Sequence, residues 1–208
     1  MTIIFYNTFF GSLMSHMDSY GPGYADTAYK MIASDLYDKI AENDVRKKWF
    51  GMEITDKKNP HYNVQQYVQC KFLDVSTTGT GDVFCSDYIF FRVAEMYFMA
   101  AEAYYNNQPA EAKTMLETVM KTRIPDYTCE KSGEELLEEI KIQKRIEMWG
   151  EGRRLFDMKR RGEDLDRSKA INHNSSSPTH VEAGDKRFIY QIPNAELNAN
   201  SAIKEQNP

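Results

Sequence analysis

The densest charged stretch of the sequence runs from Lys141 to Arg161, where eight Lys or Arg residues are interleaved with three acidic ones. A nucleic-acid site needs its bases gathered on one open face, whereas here every acid stands three or four residues from a base. Side chains at that spacing on a helix form ion pairs, and the planar guanidinium of Arg binds carboxylates especially well. The stretch therefore predicts a structural ion network formed by Arg145, Glu147, Glu151, Arg154 and Asp157.

Two large rings, Trp149 and Phe156, lie inside the same stretch. Rings of this size are expected to be buried against other elements, and their burial would draw the neighbouring arginines into partial burial. We therefore expect Arg154 to pair with Glu151 or Asp157 in a partly buried setting.

Other side chains that could perform acid–base, metal or nucleophilic chemistry lack the necessary spacing. The adjacent carboxylates between Glu134 and Glu139 stand at a helix start, where acids favour the helix dipole and a solvated face is expected. HxxxH, HExxH and GxSxG are absent, and "TTGTGD" lacks the Lys of a phosphate-binding loop. The four histidines are therefore interpreted as surface residues, and the sequence predicts no enzyme activity, no metal and no cofactor.

Aromatic side chains offer a different chemistry, since they make up 12% of the chain. Sugars present flat C–H faces and many hydroxyls, which proteins meet with aromatic platforms and polar hydrogen-bonding groups. Several aromatic residues stand in or beside irregular segments, and they are the candidate ligand-binding residues: Tyr20, Tyr24, Trp49, Tyr62 and Tyr67. The alternative, in which each ring simply covers the edge of the core, is left open.

Composition limits the class of protein. The 208 residues are 41% hydrophobic and carry a net charge of -5, which allows one sizeable core or two small ones and argues against nucleic-acid binding. Cys70, Cys85 and Cys129 are odd in number and widely spaced, and no CxxC occurs, so neither a zinc site nor a disulfide framework is indicated. The start, "MTIIFYNTFFGSLM", has no basic region or lipidation cysteine and is interpreted as an internal segment. No apolar run is long enough to span a membrane.

Apolar stripes indicate the helices that must position these groups. A first helix is predicted from Thr27 to Ile40 with Asp26 as its N-cap. A second helix over residues 92–106 and a third that opens at Pro109 are joined by a short linker and must pack antiparallel. The stripe of the second helix comprises Val93, Met96, Tyr97, Ala100, Ala103 and Tyr104. The pair predicts one helical hairpin of the tetratricopeptide kind.

The rest of the chain predicts a fourth helix after a capping box of Ser132 and Glu135. Its apolar residues cover more than one stripe, so it is expected to be covered on two sides. Gly150 and Gly152 should end or kink it before a short helix restarts at "RRLFDMKRR". Alternation in "YVQCKFL" and "RFIYQIP" predicts short strands, and the tail predicts one turn of helix. The fold class is mainly α: an irregular helical fold with a hairpin, long loops and a few short β-strands.

Four segments resemble the SusD/RagB family. The segment "SDYIFFRVAEMYFMAAEAYYN" is similar to the family helix that opens its C-terminal half, and "QKRIEMWGEGRRLFDMKR" resembles the family signature. "LYDKIAENDVRKKWF" and the tail "YQIPNAELNANSAIKEQNP" resemble two further family segments. Residues that match across these segments include Arg46, Arg92, Glu95, Arg145, Glu147, Gly152, Arg154, Asp157 and Pro193. Four residues depart from the family pattern: Ala41, Gln143, Lys144 and Gly150.

The resemblance implies a function and a setting. It implies a non-enzymatic lipoprotein on the surface of the outer membrane of Bacteroidetes, which binds glycans and serves a SusC-like TonB-dependent transporter. The chain is expected to correspond to the C-terminal portion of the family, over residues 1–208, and the N-terminal half is expected to be a missing partner. A peptide- or protein-binding module of the tetratricopeptide class is the alternative, and it predicts a groove lined by the helix over residues 92–106.

Overall fold

Six α-helices and a two-stranded sheet make up the part of the chain that the computed structural model describes, residues 30–51, 66–69, 71–72, 91–174 and 176–207. The helices are α1 (Ser34–Tyr37), α2 (Val93–Tyr104), α3 (Pro109–Met120), α4 (Gly133–Glu147), α5 (Arg154–Arg161) and α6 (Asn194–Ala199). Strands β1 (Leu165–Asp166) and β2 (His180–Val181) pair antiparallel, and 3-10 helices span Val45–Trp49 and Lys186–Phe188. The mainly α class is therefore confirmed.

The chain divides into two compact units, Met1–Gly150 and Glu151–Pro208. Gly150 and Gly152 flank the division with left-handed φ values of 77° and 76°, a conformation that glycine adopts without steric cost. Helix α4 ends at Glu147, three residues before Gly150, and α5 begins at Arg154. The predicted break before α5 is therefore present, although the glycines follow the end of α4 and do not themselves end it. The assignment of residues 1–208 to a single domain remains a prediction.

Helices α2 and α3 pack against each other as the predicted hairpin, and α4 covers both. Pro109 occupies the first turn of α3 as predicted, where the N–H that proline lacks would have no helical partner. The buried cluster between the three helices comprises Phe98, Ala101, Ala112, Leu116, Val119, Met120, Cys129, Leu136 and Ile140. These side chains form the largest apolar core of the described residues.

Helix α2 buries a different face from the stripe that the sequence indicates. Phe98 and Ala101 are fully buried in the core, whereas Val93 is 72% exposed and Met96 is 48% exposed. Part of the predicted stripe therefore faces away from the core, whereas Tyr97 of the same stripe packs against it. Apolar residues occur on every side of this helix, so the 3.6-residue period alone does not select the buried face.

Helix α4 is covered on two sides, as predicted. Its first half contributes Leu136 and Ile140 to the hairpin core. Its second half contributes Ile146 to another cluster, with Ile32, Leu36, Ile40 and Phe50. This helix therefore connects the two apolar clusters of the first unit.

The predicted capping box at the start of α4 is only partly confirmed. Ser132 is the N-cap residue, but its side chain makes no capping hydrogen bond. Gly133 follows with a left-handed φ of 52°, which departs from the geometry that a capping box requires.

Because Ser132 makes no capping bond, Ser132→Ala is expected to change the free energy of unfolding by less than about 0.5 kcal/mol, against the ~1 kcal/mol typical of a working Ser cap. Urea denaturation followed by circular dichroism measures the difference. A loss of ~1 kcal/mol or more would show that the hydroxyl does cap the helix in solution.

Of the helix predicted from Thr27 to Ile40, only α1 is α-helical in the described residues. Before it, Met31 forms an antiparallel bridge with Val68, and Ile32 N–H donates to the carbonyl of Tyr67 at 3.1 Å. Backbone that pairs with an extended segment cannot also be helical. The strand predicted in "YVQCKFL" is described only as this bridge and a second one between Phe50 and Gln69.

The second unit has a small apolar cluster of its own, built around Met158, Val181 and Phe188. Strands β1 and β2 lie in a segment of the chain that is mostly polar. The strand predicted in "RFIYQIP" is wrong, since residues 186–188 form a 3-10 helix whose start is capped by the Asp185 side chain. The predicted tail helix is confirmed as α6. No helix among the described residues is long and apolar enough to cross a bilayer.

Candidate functional site

The carboxylate of Glu147, the last residue of α4, is a fully buried charge of the first unit. Its side chain is fully buried, and the guanidinium of Arg123 donates to both of its oxygens, at 3.0 and 2.8 Å. Arg92 Nη2 donates to Oε1, and Arg46 Nη1 lies 3.5 Å from Oε2. Three arginines from distant parts of the chain therefore converge on one carboxylate.

Arg46 links this carboxylate to a second acid. It is fully buried, and its Nε and Nη2 donate to Asp44 at 3.0 and 2.7 Å. Its Nη2 also donates to the side chain of Gln143, and Asp44 accepts the Arg46 backbone N–H at 2.8 Å. The arrangement holds the 3-10 helix Val45–Trp49 against α4.

The electrostatics of this cluster favour the charged forms. Burial alone would raise the pKa of Glu147, but hydrogen bonds and charge from Arg123, with the charges of Arg92 and Arg46, hold that pKa below its usual value. The hydrogen bond to Glu147 in turn raises the pKa of the Arg123 guanidinium. A carboxylate that neighbouring arginines hold in its charged form is suited to structural support and not to proton transfer.

Cations also cover the end of α4. Lys71 Nζ donates to the carbonyls of Glu147 and Trp149 at 2.7 and 2.9 Å, and Arg92 Nη1 donates to the Glu147 carbonyl at 3.0 Å. Carbonyls in the last turn of a helix lack intrahelical donors and carry partial negative charge. These side chains therefore complete the helix end.

Aromatic rings surround the same helix end. Trp149 packs edge-on against Phe50 at 5.2 Å between centroids, and Tyr67 packs edge-on against Tyr37 at 5.3 Å. Lys71 Nζ lies 4.9 Å from the centroid of the Trp49 ring. Two of the candidate ligand-binding residues, Trp49 and Tyr67, are thus partly buried in this cluster. Tyr20, Tyr24 and Tyr62 lie outside the described residues, so the ligand role of all five remains a prediction.

A cleft of about 590 Å³ opens beside the 3-10 helix Val45–Trp49. Its walls include Glu42, Asn43, Lys48 and Phe50, and the first three of these side chains are exposed. The volume lies within the range of small-molecule sites, and amide, ammonium and carboxylate groups can all bond to hydroxyls. This cleft is the candidate binding site among the described residues.

A second cleft, of about 350 Å³, holds the carboxylate of Glu139. Tyr127 Oη and Gln143 Nε2 donate to Glu139 at 2.9 and 2.8 Å, and Lys131 pairs with it. Burial, together with the charge of Glu139, raises the pKa of the Tyr127 hydroxyl. These polar groups form hydrogen bonds and an ion pair with one another, so we interpret their role as structural.

The predicted ion network divides between the two units. Glu147 is the centre of a cluster, but sequence reasoning did not identify its arginine partners, and the nearest of the three along the chain is 24 residues away. Arg145 and Glu151 are half-buried. The network as a set remains a prediction.

In the second unit, Arg154 has a different partner from the one expected. Its Nη1 donates to Glu163 at 2.9 Å instead of to Glu151 or Asp157, while Asp157 pairs with Arg160 at 3.0 Å. The chain folds back after α5 because Gly162 adopts a left-handed φ of 62°, which brings Glu163 close to the helix. Phe156, expected to be buried, is 63% exposed.

Glu163 supports a prediction about pH. Burial alone would raise its pKa, but hydrogen bonds and charge from Arg161 and Arg154 lower that pKa from 4.5 to about 2. A carboxylate with a depressed folded-state pKa stabilises the fold above its unfolded pKa and loses that contribution as pH falls. Stability relative to Glu163→Gln should therefore shrink between pH ~4.5 and ~2. Urea midpoints measured in parallel test this, and a pH-independent difference would contradict it.

Comparison with known proteins gives the site its context. A sequence model described as the SusD family matches residues 24–208, and no curated protein matches the chain. Among the described residues, no group of three or more His, Cys, Asp or Glu side chains is placed to hold a metal ion.

Solved structures resemble the chain over most of its length. A SusD superfamily protein from Bacteroides thetaiotaomicron VPI-5482 is 27% identical with a TM-score of 0.66, over 86% of this chain and 40% of that chain. A SusD-like carbohydrate binding protein from Bacteroides vulgatus ATCC 8482 is 21% identical with a TM-score of 0.64, over 92% and 44%. A putative sugar binding protein from the same organism is 24% identical with a TM-score of 0.61, over 84% and 37%.

This chain therefore spans less than half the length of each of these solved relatives. The family match covers most of the chain, and the helical fold agrees with the solved structures. The chain belongs to the SusD family.

Proposed function

We propose that this chain forms part of a non-enzymatic carbohydrate-binding protein on the bacterial cell surface, which delivers glycans to a TonB-dependent transporter of the outer membrane. The observation that carries the proposal is the family match over residues 24–208. Two solved proteins with the same fold are named as carbohydrate or sugar binding. The transporter and the outer-membrane location follow from the family resemblance.

The candidate cleft fits a neutral, hydroxyl-rich ligand. Glu42, Asn43 and Lys48 place a carboxylate, an amide and an ammonium group around one opening, and Glu42 accepts from Lys47 Nζ at 2.8 Å. The charged residues that line the cleft, two acidic and two basic, sum to zero. Sugars are bound by such mixed donors and acceptors beside apolar surface. Val45, which is 45% exposed, provides apolar surface in the cleft wall.

In this proposal Trp49 has a structural role in addition to its role in ligand binding. Its ring lies near the charged groups of both Lys71 and Arg123, at 4.9 and 5.8 Å. Replacing it would disturb these contacts, so loss of binding in a Trp49 variant would be ambiguous. Exposed residues of the cleft provide a cleaner test.

We also propose that further polypeptide completes the binding site. The solved relatives are more than twice as long as this chain, and the resemblance places this chain at the C-terminal portion of the family. An N-terminal half is therefore a partner in the proposal.

Isothermal titration calorimetry against a panel of neutral and acidic oligosaccharides tests the proposal. We expect binding of at least one glycan, and we expect Asn43→Ala/Lys48→Ala to weaken it by about 10-fold. The control is Asn106→Ala/Asn107→Ala in the exposed turn after α2, which should leave affinity unchanged. Absence of heat with every glycan, both from this chain shown to be folded by circular dichroism and from the longer polypeptide that includes the N-terminal half, would overturn the proposal.

A further inference from the structure

Lys47 lines the candidate cleft, but its ammonium group is already bound within the chain. Nζ donates to the Ile40 carbonyl at 3.0 Å and to Glu42 Oε1 at 2.8 Å, and it lies 4.4 Å from the centroid of the Tyr37 ring. An ammonium group has three N–H donors, and an aromatic face attracts a cation. Two acceptors and a ring therefore direct this ammonium group toward the chain and not toward a ligand.

The groups that hold the Lys47 ammonium are themselves fixed by the core. Ile40 is 2% exposed and belongs to the same buried cluster as Phe50. The Tyr37 ring packs edge-on against Phe50 and Tyr67, with centroids 6.3 and 5.3 Å away. The Lys47 side chain is only 17% exposed. Its Nζ is therefore held at a defined point beside the cleft.

The Glu42 carboxylate, in contrast, faces solvent, since its side chain is 90% exposed. It is bound through Oε1 alone, and no donor in the described part of the chain reaches its Oε2. An ion pair with so exposed a member contributes little to stability. The effect of Lys47 on Glu42 therefore lies in where the carboxylate is held, with one oxygen left to accept from a hydroxyl.

The other polar side chains of the cleft differ from Glu42. Asp44 is buried and bound by Arg46 at 2.7 Å, so it does not reach a ligand. Asn43 and Lys48 are exposed, and no hydrogen bond or ion pair with the described residues engages either side chain. Glu42 thus combines exposure to a ligand with an anchor inside the chain.

We propose that Lys47 is a positioning residue of the candidate cleft, which holds Glu42 so that Oε2 accepts a hydrogen bond from a sugar hydroxyl. A contact group that is fixed before binding loses less conformational entropy when the ligand arrives. Lys47 therefore raises affinity through Glu42 and without touching the sugar. This inference rests on the proposed carbohydrate function.

Isothermal titration calorimetry tests the effect on affinity, with four neutral hexasaccharides, of glucose, xylose, mannose and galactose, as probes. Lys47→Met keeps the apolar stem and removes the ammonium group, and it should weaken the tightest of the four by about 5-fold. Lys47→Arg should restore affinity to within about 2-fold, because a guanidinium can donate to both oxygens. Lys39→Met is the matched control, at an exposed lysine outside this cleft, and should leave affinity unchanged.

A double-mutant cycle shows whether Lys47 acts through Glu42. In a Glu42→Ala background, Lys47→Met should change affinity by less than about 2-fold, because the group that it positions is gone. A purely structural role of Lys47 would weaken binding equally in both backgrounds. Equal weakening would therefore overturn the proposal.

Amide hydrogen exchange tests the positioning without a sugar. The Asp44 N–H donates to the Ala41 carbonyl at 3.0 Å and closes the turn that carries Glu42. Lys47→Met should speed exchange of this amide by about 10-fold through local opening, whereas Lys39→Met should not. Unchanged exchange would overturn the proposal. If no hexasaccharide binds the unchanged chain, that result counts against the carbohydrate function, and hydrogen exchange still decides the role of Lys47.

Discussion

Replacing Glu147 with alanine is expected to lower the free energy of unfolding by about 3–5 kcal/mol, because it leaves buried cations without their carboxylate. Arg46 is fully buried, and Arg92 and Arg123 are largely so. Asp44 would still pair with Arg46, but the two oxygens that Arg123 binds would be gone. Urea denaturation followed by circular dichroism measures the loss.

Two companion variants separate the charge effect from a general effect on the helix. Glu138→Ala removes an exposed carboxylate of the same helix, whose pair with Lys141 is expected to contribute less than ~1 kcal/mol. Glu147→Gln keeps the shape but removes the charge, so it should be nearly as destabilising as Glu147→Ala. If Glu147→Ala and Glu138→Ala unfold at similar urea concentrations, the cluster does not hold the fold together.

Local sequence patterns predicted those elements whose position depends on a few neighbouring residues. Pro109 opens α3, Gly150 and Gly152 follow the end of α4, and the apolar residues of α4 face two clusters. In each case the signal is a backbone preference or a side-chain period that acts along one segment.

The partners of Glu147 could not be predicted from local patterns, because they lie far from it in the sequence. Arg46, Arg92 and Arg123 are 101, 55 and 24 residues away from it, and no spacing rule connects them. Sequence reasoning therefore identified an ion network around Glu147 but assigned its partners from neighbours. The short reach of the i,i+3 and i,i+4 rules explains why they predict Glu151 or Asp157 as the partner of Arg154, whereas its partner is Glu163.

Helix α2 shows a second limit. Its period is clear, but apolar residues on all sides leave the buried face undetermined, and tertiary packing selects Phe98 over Met96. The strand predicted in "RFIYQIP" fails for a related reason, since the Asp185 side chain caps a 3-10 turn that competes with extended structure. The candidate cleft beside Phe50 was visible in the sequence only through the neighbouring Trp49.

Gly51 carries the second large prediction, since its position combines two constraints. It has a left-handed φ of 69°, and a Cβ atom built on it would lie 2.4 Å from the Gln66 carbonyl oxygen. Its N–H donates to the Val68 carbonyl at 2.9 Å, which fixes it beside the bridge between Phe50 and Gln69. The backbone can neither accept the methyl group nor move without losing this bond.

Gly51→Ala is therefore expected to lower the free energy of unfolding by about 1–2 kcal/mol from the left-handed conformation alone, and further through the steric conflict with Gln66. Gly184→Ala is the matched control, because Gly184 has a φ of 80° but open space around its Cβ position. The loss of unfolding free energy in Gly184→Ala should include only the cost of the left-handed conformation. Equal losses in urea denaturation would mean that the chain around Gln66 relaxes to admit the methyl group. A clearly larger loss at Gly51 would show that the steric conflict with the Gln66 carbonyl adds to the conformational cost.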